Sequence, residues 1–369
     1  MRGNFTDETL RDVVSHFQLY GDVLTITPYG SGHINDTFRV TLDLAGRAVD
    51  YILQRVNTEV FRMPEMLMDN IERVTAHLHQ KLKETKAKEP SRRALTLVRT
   101  IEGGNSYIDA AGNYWRVYLF IERARTFDVI STPEQAFEAA RAFAGFQNQL
   151  ADLPSPRLGE TIPAFHNIQS RLSLLDEAAK SDVKGRLSEV SAEMDFVNAH
   201  RKEMMRLIEQ QAAGEIPERI THNDTKINNV MFDDETGSQI CVIDLDTTMP
   251  GLALYDFGDM VRTATAAAAE DETDLSKVES RMDLFQALVR GYCSEARFLT
   301  RAEREALVFS GRLITFTIGV RFLTDYLAGD VYFKTHREGH NLDRARNQFQ
   351  MVRSQERQSA EREDFVRSV

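Results

Sequence analysis

Acidic and amide side chains are concentrated between residues 220 and 259, in a spacing that could support phosphate chemistry. Asp224 is followed by Asn229, and Asp244 and Asp246 come shortly afterwards. Carboxylates brought together repel each other unless a cation lies among them or one of them holds a proton. Two carboxylates and an amide offer the hard oxygen ligands that Mg²⁺ prefers, and the remaining carboxylate could accept a proton from a substrate hydroxyl. Positioning, charge neutralisation and orientation of a nucleophile are what phosphoryl transfer requires.

A β-hairpin is predicted to bring these side chains together. The apolar runs 229–232 and 240–243 flank a turn-forming segment at 233–237, which is the pattern of two strands joined by a short loop. Pairing of the runs returns Asp244 to the loop that enters the first strand, and Asp246 then shares a strand face with Asp244. The alternative is an acidic hairpin end exposed to water. The pattern H-x-D-x-x-x-x-N followed by I-D is far more specific than a single acidic cluster.

Four longer motifs accompany this pattern: Y-G-S-G-H-I-N-D-T-F at 29–38, T-H-N-D-T-K-I-N-N-V at 221–230, V-I-D-L-D-T-T-M-P-G at 242–251 and F-L-T-D-Y-L-A-G-D-V-Y-F at 322–333. Together they resemble the phosphotransferase superfamily of aminoglycoside and choline kinases, and within it the N-acetylhexosamine 1-kinase branch. The resemblance implies a two-lobed, protein-kinase-like α+β fold that uses ATP and Mg²⁺. It also implies transfer of a phosphoryl group to the anomeric hydroxyl of an N-acetylhexosamine (N-acetylglucosamine or N-acetylgalactosamine), giving the sugar 1-phosphate.

Catalytic and metal-binding roles follow from these motifs. Asp224 is the expected base and contacts the acceptor hydroxyl, and Lys226 lies where protein kinases of the H-R-D-x-K type place the lysine that neutralises the transferred phosphate. A solvated lysine is the alternative. Asn229 and Asp244 are expected to bind Mg²⁺, with Asp246 as a second carboxylate ligand. His222 is expected to be structural, and Asp256 and Asp259 to brace the catalytic loop.

Acceptor binding is assigned by the resemblance alone. Arg262, Arg321 and Tyr332 correspond by motif position to substrate-binding residues of the N-acetylhexosamine kinase branch. For Arg321 the alternative is an ion pair with Asp325, one helical turn along the chain. Thr263 departs from the branch, which carries a bulkier apolar residue there.

The nucleotide is expected to contact a glycine-bearing turn and the third strand of the N-terminal sheet. Backbone N–H groups of such a turn can approach a triphosphate closely, and the candidate contacts are Gly30, Ser31, Gly32, His33 and Asn35.

Kinases place a phosphate-binding lysine on the third strand, in a pattern such as V-A-I-K. This chain reads Tyr51-Ile-Leu-Gln-Arg55 there. Gln54 occupies the simplest alignment, and Arg55 would replace it if a bulge intervened. Glu72, on the following helix, is either the partner of this strand-three group or a solvated glutamate.

Two domains are predicted from the length of 369 residues. Residues 1–121 read as an N-terminal lobe, a small antiparallel sheet with the glycine-bearing turn and one long helix. Residues 122–369 read as a helical C-terminal lobe that carries the catalytic hairpin and the acceptor site.

Composition limits the class of protein. The formal net charge is −11 and no long basic run is present, which argues against nucleic-acid binding. The two cysteines, Cys241 and Cys293, form neither a pattern typical of disulfide-rich proteins nor a Cys/His motif with the spacing of metal ligands. This cysteine usage is typical of proteins in the reducing cytosol. No window is expected to reach the length of a membrane span, and a monomer or weak dimer is expected. The rival functions are a kinase of another small alcohol, such as an amino alcohol or an aminoglycoside, and a catalytically inactive nucleotide-binding module.

Overall fold

The computed structural model describes residues 5–30 and 34–369. Its strands, in chain order, are β1 (Asp22–Pro28), β2 (Asp36–Leu44), β3 (Arg47–Arg55), β4 (Leu97–Val98), β5 (Tyr107–Ile108), β6 (Tyr114–Leu119), β7 (Ala124–Arg125), β8 (Arg219–Thr221), β9 (Val230–Asp233), β10 (Gln239–Val242) and β11 (Met249–Gly251). Its α-helices are α1 (Asp7–Ser15), α2 (Pro64–Glu84), α3 (Pro90–Arg93), α4 (Pro133–Leu150), α5 (Ile168–Ser181), α6 (Ser191–Met204), α7 (Arg206–Ala212), α8 (Ala253–Ala264), α9 (Met282–Glu295), α10 (Arg301–Glu305), α11 (Leu307–Ala328), α12 (His340–Arg357) and α13 (Ser359–Ser368). The predicted α+β class, with an antiparallel N-terminal sheet and a helical C-terminal part, is confirmed.

One compact unit contains the residues up to Arg125 together with 152–163 and 231–249. Its main sheet has the antiparallel order β1-β2-β3-β6-β4, with β5 also paired to β6. Because side chains alternate along a strand, Phe38, Leu53 and Val117 share one face, on which Trp115 and helix α1 build the hydrophobic core. Thr37, Gln54 and Arg116 therefore share the opposite face.

The hairpin belongs to this first unit and not to the helical part where the sequence analysis placed it. The strand β9 lies between β10 and β7, and Arg125 pairs with Phe232 in that sheet. Arg92 adds an ion pair to Asp233 at 2.8 Å. The sequence did not predict the β7 pairing because it joins segments more than 100 residues apart, with no local signal for either partner.

The second compact unit consists of residues 126–151, 164–230 and 250–369. Helix α11 lies at its centre and packs against α5, α8 and α12. Glycines permit the close approach of α8 and α11: a Cβ added to Gly258 would lie 2.4 Å from the carbonyl oxygen of Ser310, and one added to Gly311 would lie 2.8 Å from Val261. A short two-stranded sheet pairs β8 with β11. All of β8 and most of β11 belong to this unit.

Helix α11 corrects the expectation that no segment reaches the length of a membrane span. Its 22 residues contain an 18-residue window with a mean hydropathy of 1.4. By length and composition this helix could cross a bilayer, but 83% of that window is buried inside the protein. A helix that is apolar on every side is also what the core of a large soluble domain requires, and its packing against three other helices accounts for its composition.

Candidate active site

The loop of residues 222–226 is held by two buried carboxylates of helix α8. The backbone N–H groups of His222 and Asn223 donate to Asp256 at 2.8 and 2.7 Å, and that of Thr225 donates to Asp259 at 3.1 Å. Burial raises the pKa of Asp256 to about 7, although these donors act in the opposite direction. The loop is therefore fixed by groups that do not face solvent, as expected for residues that brace it.

Asp224 presents its carboxylate from this loop to two neighbouring donors. Lys226 Nζ lies 3.0 Å from Oδ1, and Asn229 Nδ2 donates to Oδ2 at 3.2 Å and to the Asp224 carbonyl oxygen at 2.9 Å. Burial alone would raise the pKa of Asp224, but the charge and hydrogen bond of Lys226, together with the smaller effects of His222 and Arg262, outweigh it, so the pKa lies below its ordinary value. The carboxylate is ionised at neutral pH and can accept a proton.

Lys226 is the more accessible member of this pair. Its side chain is 47% exposed and that of Asp224 is 27% exposed. The pKa of Lys226 is raised, and the charge of Asp224 is the largest cause of this shift. A cation held beside the base, yet open to solvent, has the position that a phosphate-neutralising lysine needs. Its contact with phosphate stays a prediction.

A second group of side chains, the arginine–aromatic cluster, adjoins the catalytic loop within the same unit. It consists of Phe165, Arg171, Arg321, Tyr332 and Phe333. The guanidinium of Arg321 lies 5.1, 5.6 and 5.4 Å from the ring centroids of Phe165, Tyr332 and Phe333, and its Nη2 is 3.4 Å from the Tyr332 hydroxyl. Arg171 donates to the carbonyl oxygen of Phe165 at 2.7 Å.

His166 connects this cluster to the catalytic loop. Its Nε2 lies 3.0 Å from the carbonyl oxygen of Asn223, the residue before Asp224, and it follows Phe165 directly in the chain. Burial lowers the pKa of His166 to about 4, so the ring is neutral near pH 7 and donates this hydrogen bond. The cluster is thereby tied to the backbone that carries the candidate base.

The pKa values of both arginines in the cluster are lowered. Burial lowers the pKa of Arg171 to about 10, and the charge of Arg321 lowers it further. The pKa of Arg321 is also lowered, first by burial. Among residues 5–30 and 34–369, neither guanidinium has a carboxylate in ion-pair contact.

The alternative partner for Arg321, Asp325, is used elsewhere. Asp325 accepts hydrogen bonds from the backbone N–H groups of Val331, Tyr332 and Phe333 at 2.8–2.9 Å. The alternative reading of Arg321, an ion pair one helical turn away, is therefore not observed, because the carboxylate closes the loop that follows the helix. It holds in place the segment that carries Tyr332.

Arg262 is placed differently from Arg321. Its Nε donates to Asp259 at 2.9 Å, and its Nη1 donates to Glu270 at 2.8 Å. The side chain is buried between these two carboxylates. Its contact with the acceptor stays a prediction, and its observed role is to fix Asp259, which in turn holds the catalytic loop.

In the first unit, Gln54 lies beside an arginine that the sequence analysis did not consider. Arg116 donates through Nε and Nη2 to Gln54 Oε1 at 3.0 and 2.8 Å, and its Nη1 lies 2.6 Å from Asp246 Oδ1. Asn35 donates to the other Asp246 oxygen at 2.6 Å. Asp246 is thus in contact with two protein donors, and its binding of a metal stays a prediction.

The other strand-three candidates point elsewhere. Arg55 pairs with Asp36 at 2.5 Å, so the bulged alignment that would have brought it to the phosphates is not present. Glu72 pairs with Arg99 at 2.5 Å and accepts from Asn105, so it is not the partner of strand three, and its side chain is 34% exposed.

The glycine-bearing turn is only partly described. Gly30 has a positive φ of 77°, a conformation that glycine adopts at little cost. Ser31, Gly32 and His33 lie outside the described residues. The nucleotide contacts predicted for this turn stay predictions.

The chemistry of the candidate metal ligands fits Mg²⁺ residue by residue. Asn229 uses its amide nitrogen on Asp224, so its oxygen is the atom that a hard cation would meet. Asp244 is exposed and has a φ of 59°, which only a minority of non-glycine residues adopt and which often marks a functional position. Within the described ranges, no group of three His, Cys, Asp or Glu side chains forms a metal cluster.

Sequence reasoning missed Arg116, Arg171 and His166. Arg116 had a usable signal, since it is the one charged residue in the run Tyr114–Ile121 of an otherwise apolar and aromatic strand. A charged side chain inside such a strand is rarely buried unless it is paired. Arg171 and His166 carried no comparable signal, because an arginine on a helix and a histidine before one are ordinary.

Comparison with known proteins identifies the family. A model described as the phosphotransferase enzyme family (APH) matches residues 25–305. An aminoglycoside phosphotransferase from Alicyclobacillus acidocaldarius is 12% identical with a TM-score of 0.64, and covers 100% of this chain and 98% of its own. The microcompartment-associated aminopropanol kinase is 17% identical with a TM-score of 0.61, over 97% and 98% of the two chains. The aminoglycoside 2'-phosphotransferase-IIIa, solved as a GDP complex, is 12% identical with a TM-score of 0.54, over 89% and 93%. These structures share the kinase-like fold.

Proposed function

Since the chain belongs to the phosphotransferase enzyme family, we propose that it is an ATP- and Mg²⁺-dependent kinase of a small molecule, with the anomeric hydroxyl of an N-acetylhexosamine as acceptor. The observation that carries the proposal is the arrangement around Asp224: an ionised carboxylate, with Lys226 at 3.0 Å and Asn229 bonded to the same residue, on a loop fixed by two buried carboxylates.

The reaction follows from these groups. The anomeric oxygen attacks the γ-phosphorus, its proton passes to the Asp224 carboxylate, and the bond from the γ-phosphorus to the bridging oxygen of ADP breaks. Lys226 offsets charge on the transferred group. Bound Mg²⁺ supplies neutralisation of the phosphate oxygens, and the motifs nominate Asn229 and Asp244 as its ligands. Asp256 and Asp259 keep the base in place before substrate arrives, which removes an ordering cost from the reaction.

The arginine–aromatic cluster supports a neutral acceptor over a cationic one. Two half-buried guanidiniums, neither with a carboxylate partner among the described residues, repel an ammonium group, and cationic ligands are usually met by acidic or aromatic sites that carry no positive charge. An aminoglycoside and aminopropanol, the compounds in the names of two structural neighbours, both carry amino groups. A sugar amide and its hydroxyls instead need directional donors and an aromatic face, which Arg321 and Tyr332 can provide.

An acceptor panel with coupled ADP detection tests the proposal. The full-length protein is incubated with ATP and Mg²⁺ and with N-acetylglucosamine, N-acetylgalactosamine, aminopropanol or an aminoglycoside. We expect ADP release with at least one N-acetylhexosamine, little with either cationic acceptor, and none from Asp224→Asn. Turnover of a cationic acceptor alone would overturn the sugar assignment, and no turnover with ATP binding intact would favour the inactive module.

Arg321→Gln examines the acceptor assignment separately. We expect its KM for the sugar to rise about tenfold or more, the loss typical of a charge-assisted hydrogen bond, with the KM for ATP unchanged. Arg281→Gln is the matched control, because Arg281 is exposed and pairs locally with Asp283. An unchanged sugar KM in Arg321→Gln would contradict the assignment.

A further inference from the structure

We propose that Arg116 provides, from strand β6, the phosphate-binding cation that strand β3 lacks, and that Gln54 positions it. This inference rests on the proposed use of ATP. The positive charge of the nucleotide site would then have moved to the neighbouring strand, with an amide left in the usual place of the lysine.

The register of the sheet places the two residues side by side. Gln54 on β3 is the direct cross-strand partner of Arg116 on β6 and also of Thr37 on β2. Directly opposed side chains lie on the same face and within contact distance. The face of the sheet that holds Gln54, where the kinase pattern places a lysine, therefore receives its charge from Arg116.

The hydrogen bonds fix the orientation of this pair. Gln54 Nε2 donates to the Thr37 hydroxyl at 3.1 Å, and Gln54 Oε1 accepts both Nε and Nη2 of Arg116. These three contacts fix the Gln54 amide in a single orientation. Because Nε and Nη2 are held on the Gln54 side, Nη1 is directed away from the strand, toward Asp246.

Nη1 keeps hydrogen-bonding capacity. It lies 2.6 Å from Asp246 Oδ1, yet both atoms are buried without a hydrogen bond of acceptable geometry in the described structure. A buried ion pair that is poorly aligned contributes little to stability, since the cost of desolvation is offset only by good geometry. Retaining such a pair is better explained by an anion that Nη1 meets in another state.

The position of Asp246 indicates that this anion is a phosphate of the nucleotide. Asp246 follows Asp244, a candidate Mg²⁺ ligand, by two residues. It is also bonded to Asn35, which lies in the glycine-bearing turn and accepts the backbone N–H of Asn57 at 3.0 Å. Arg116 is only 1% exposed, so a phosphate reaches it when the Asn35–Asp246 bond gives way. A nucleotide phosphate would replace Asp246 on the guanidinium.

Other cations of the sheet do not meet these conditions. Arg39 differs from Arg116 in that its side chain is 42% exposed and its Nη2 donates a hydrogen bond to Asp50 at 2.5 Å. Arg55 is held by Asp36, and its guanidinium lies 5.3 Å from the Phe5 ring, on the core side of the sheet. Among the described residues of strands β1–β6, Arg116 is the buried cation next to the kinase lysine position.

Moving the charge back to strand β3 tests the inference. Calorimetry on the full-length protein measures the affinities for ATP, ADP and adenosine in the wild type, in Arg116→Gln and in the double variant Gln54→Lys with Arg116→Gln. We expect Arg116→Gln to weaken ATP and ADP about tenfold or more, with adenosine changed less than twofold. The double variant should regain most of the affinity for ATP, because a lysine then stands where other kinases have it.

Adenosine separates phosphate contact from general structural damage. Equal losses for ATP and adenosine, or unchanged ATP affinity in a folded Arg116→Gln protein, would overturn the inference. If Arg116→Gln does not fold, the double variant decides alone: a folded protein without recovered ATP affinity also overturns it. Arg47→Gln, which changes an exposed arginine on strand β3, controls for net charge. Absence of ATP binding in the wild type would instead reject the proposed function itself.

Discussion

Asn229 uses one amide nitrogen to bind both the carbonyl oxygen and the carboxylate of Asp224, at 2.9 and 3.2 Å. The residue nominated as a metal ligand thus holds the residue nominated as the base. Because the nitrogen is committed, the amide cannot rotate to present it to a cation, and its oxygen remains for that role. A single asparagine can in this way fix the distance between the cation and the proton acceptor.

Asn229→Asp tests this double role. The carboxylate would keep an oxygen ligand but would remove the donor to Asp224 and place a like charge beside it, which raises the pKa of Asp224. We expect turnover to fall at least about tenfold, the scale of a lost hydrogen bond to a charged group, with Mg²⁺ dependence retained. Steady-state kinetics against Mg²⁺ concentration measures both effects.

The control for this charge change is Asn167→Asp. Asn167 is the N-cap of helix α5 and accepts from Ser170, a role that aspartate fills equally well. Its turnover should match the wild type. Wild-type turnover in Asn229→Asp would show that neither the donor nor the neutrality of residue 229 matters for the reaction.

Lys226→Met should change the pH dependence of the reaction. The pKa of Asp224 lies below its ordinary value because Lys226, with smaller effects of His222 and Arg262, outweighs burial. Without the lysine the main cause that lowers the pKa is lost and the pKa rises, so the base becomes protonated at a higher pH. We expect the acidic limb of kcat/KM to move upward in pH, in addition to a lower plateau.

A pH–rate profile from pH 4 to 9 measures the shift of that limb. Lys277→Met, at an exposed lysine near Glu272 and Asp274, should leave the profile in place. A lower plateau with an unmoved acidic limb would separate Lys226 from the ionisation of Asp224 and leave it only a role toward phosphate.

The sequence predicted those parts of the site that are encoded within one short segment. Asp224 and Asn229 are five residues apart, and the motif and the predicted hairpin were sufficient to predict that they lie close together. Arg116 was missed because its importance depends on the register of β3 against β6, which joins segments about 60 residues apart. Local spacing alone does not decide such contacts: Arg321 and Asp325 are correctly spaced for the ion pair that was the alternative reading, but three backbone N–H groups compete for the carboxylate.

His166 should make the stability of the protein sensitive to mild acid. Its pKa is lowered from 6.5 to about 4 by burial, so the unfolded chain takes up a proton on this residue before the folded protein does. The free energy of unfolding is unaffected above pH 6.5 and falls as the pH drops from 6.5 toward 4. By pH 4.5 the loss from this group is roughly 2–3 kcal/mol.

His166→Gln isolates this contribution, because glutamine can still donate to the carbonyl oxygen of Asn223 but does not titrate. Urea unfolding at pH 7, 5.5 and 4.5 should show a smaller loss of stability in the variant than in the wild type, although the variant is expected to be less stable at pH 7. Parallel pH dependences for the two proteins would mean that the ring is protonated without penalty in the folded state.

Gly258→Ala should damage both packing and chemistry, because Gly258 lies on helix α8 between the carboxylates of Asp256 and Asp259 that hold the catalytic loop. Its added Cβ would lie 2.4 Å from the carbonyl oxygen of Ser310, a backbone atom that cannot turn aside. Overpacking of this kind costs about 1–3 kcal/mol, and the displacement of α8 would move both carboxylates. We expect a lower free energy of unfolding and a reduced kcat.

Gly145→Ala is the matched control for that substitution. Gly145 lies inside helix α4, and an added Cβ meets no atom within 4 Å. Because alanine favours a helix interior over glycine by roughly 0.5–1 kcal/mol, this variant should be slightly more stable than the wild type and equally active. Chemical denaturation and steady-state kinetics on the two variants compare the same substitution at a position with free space and at a closely packed position. A neutral Gly258→Ala would mean that α8 can move away from α11 without disturbing the loop, and the bracing role of its carboxylates would then not depend on this close packing.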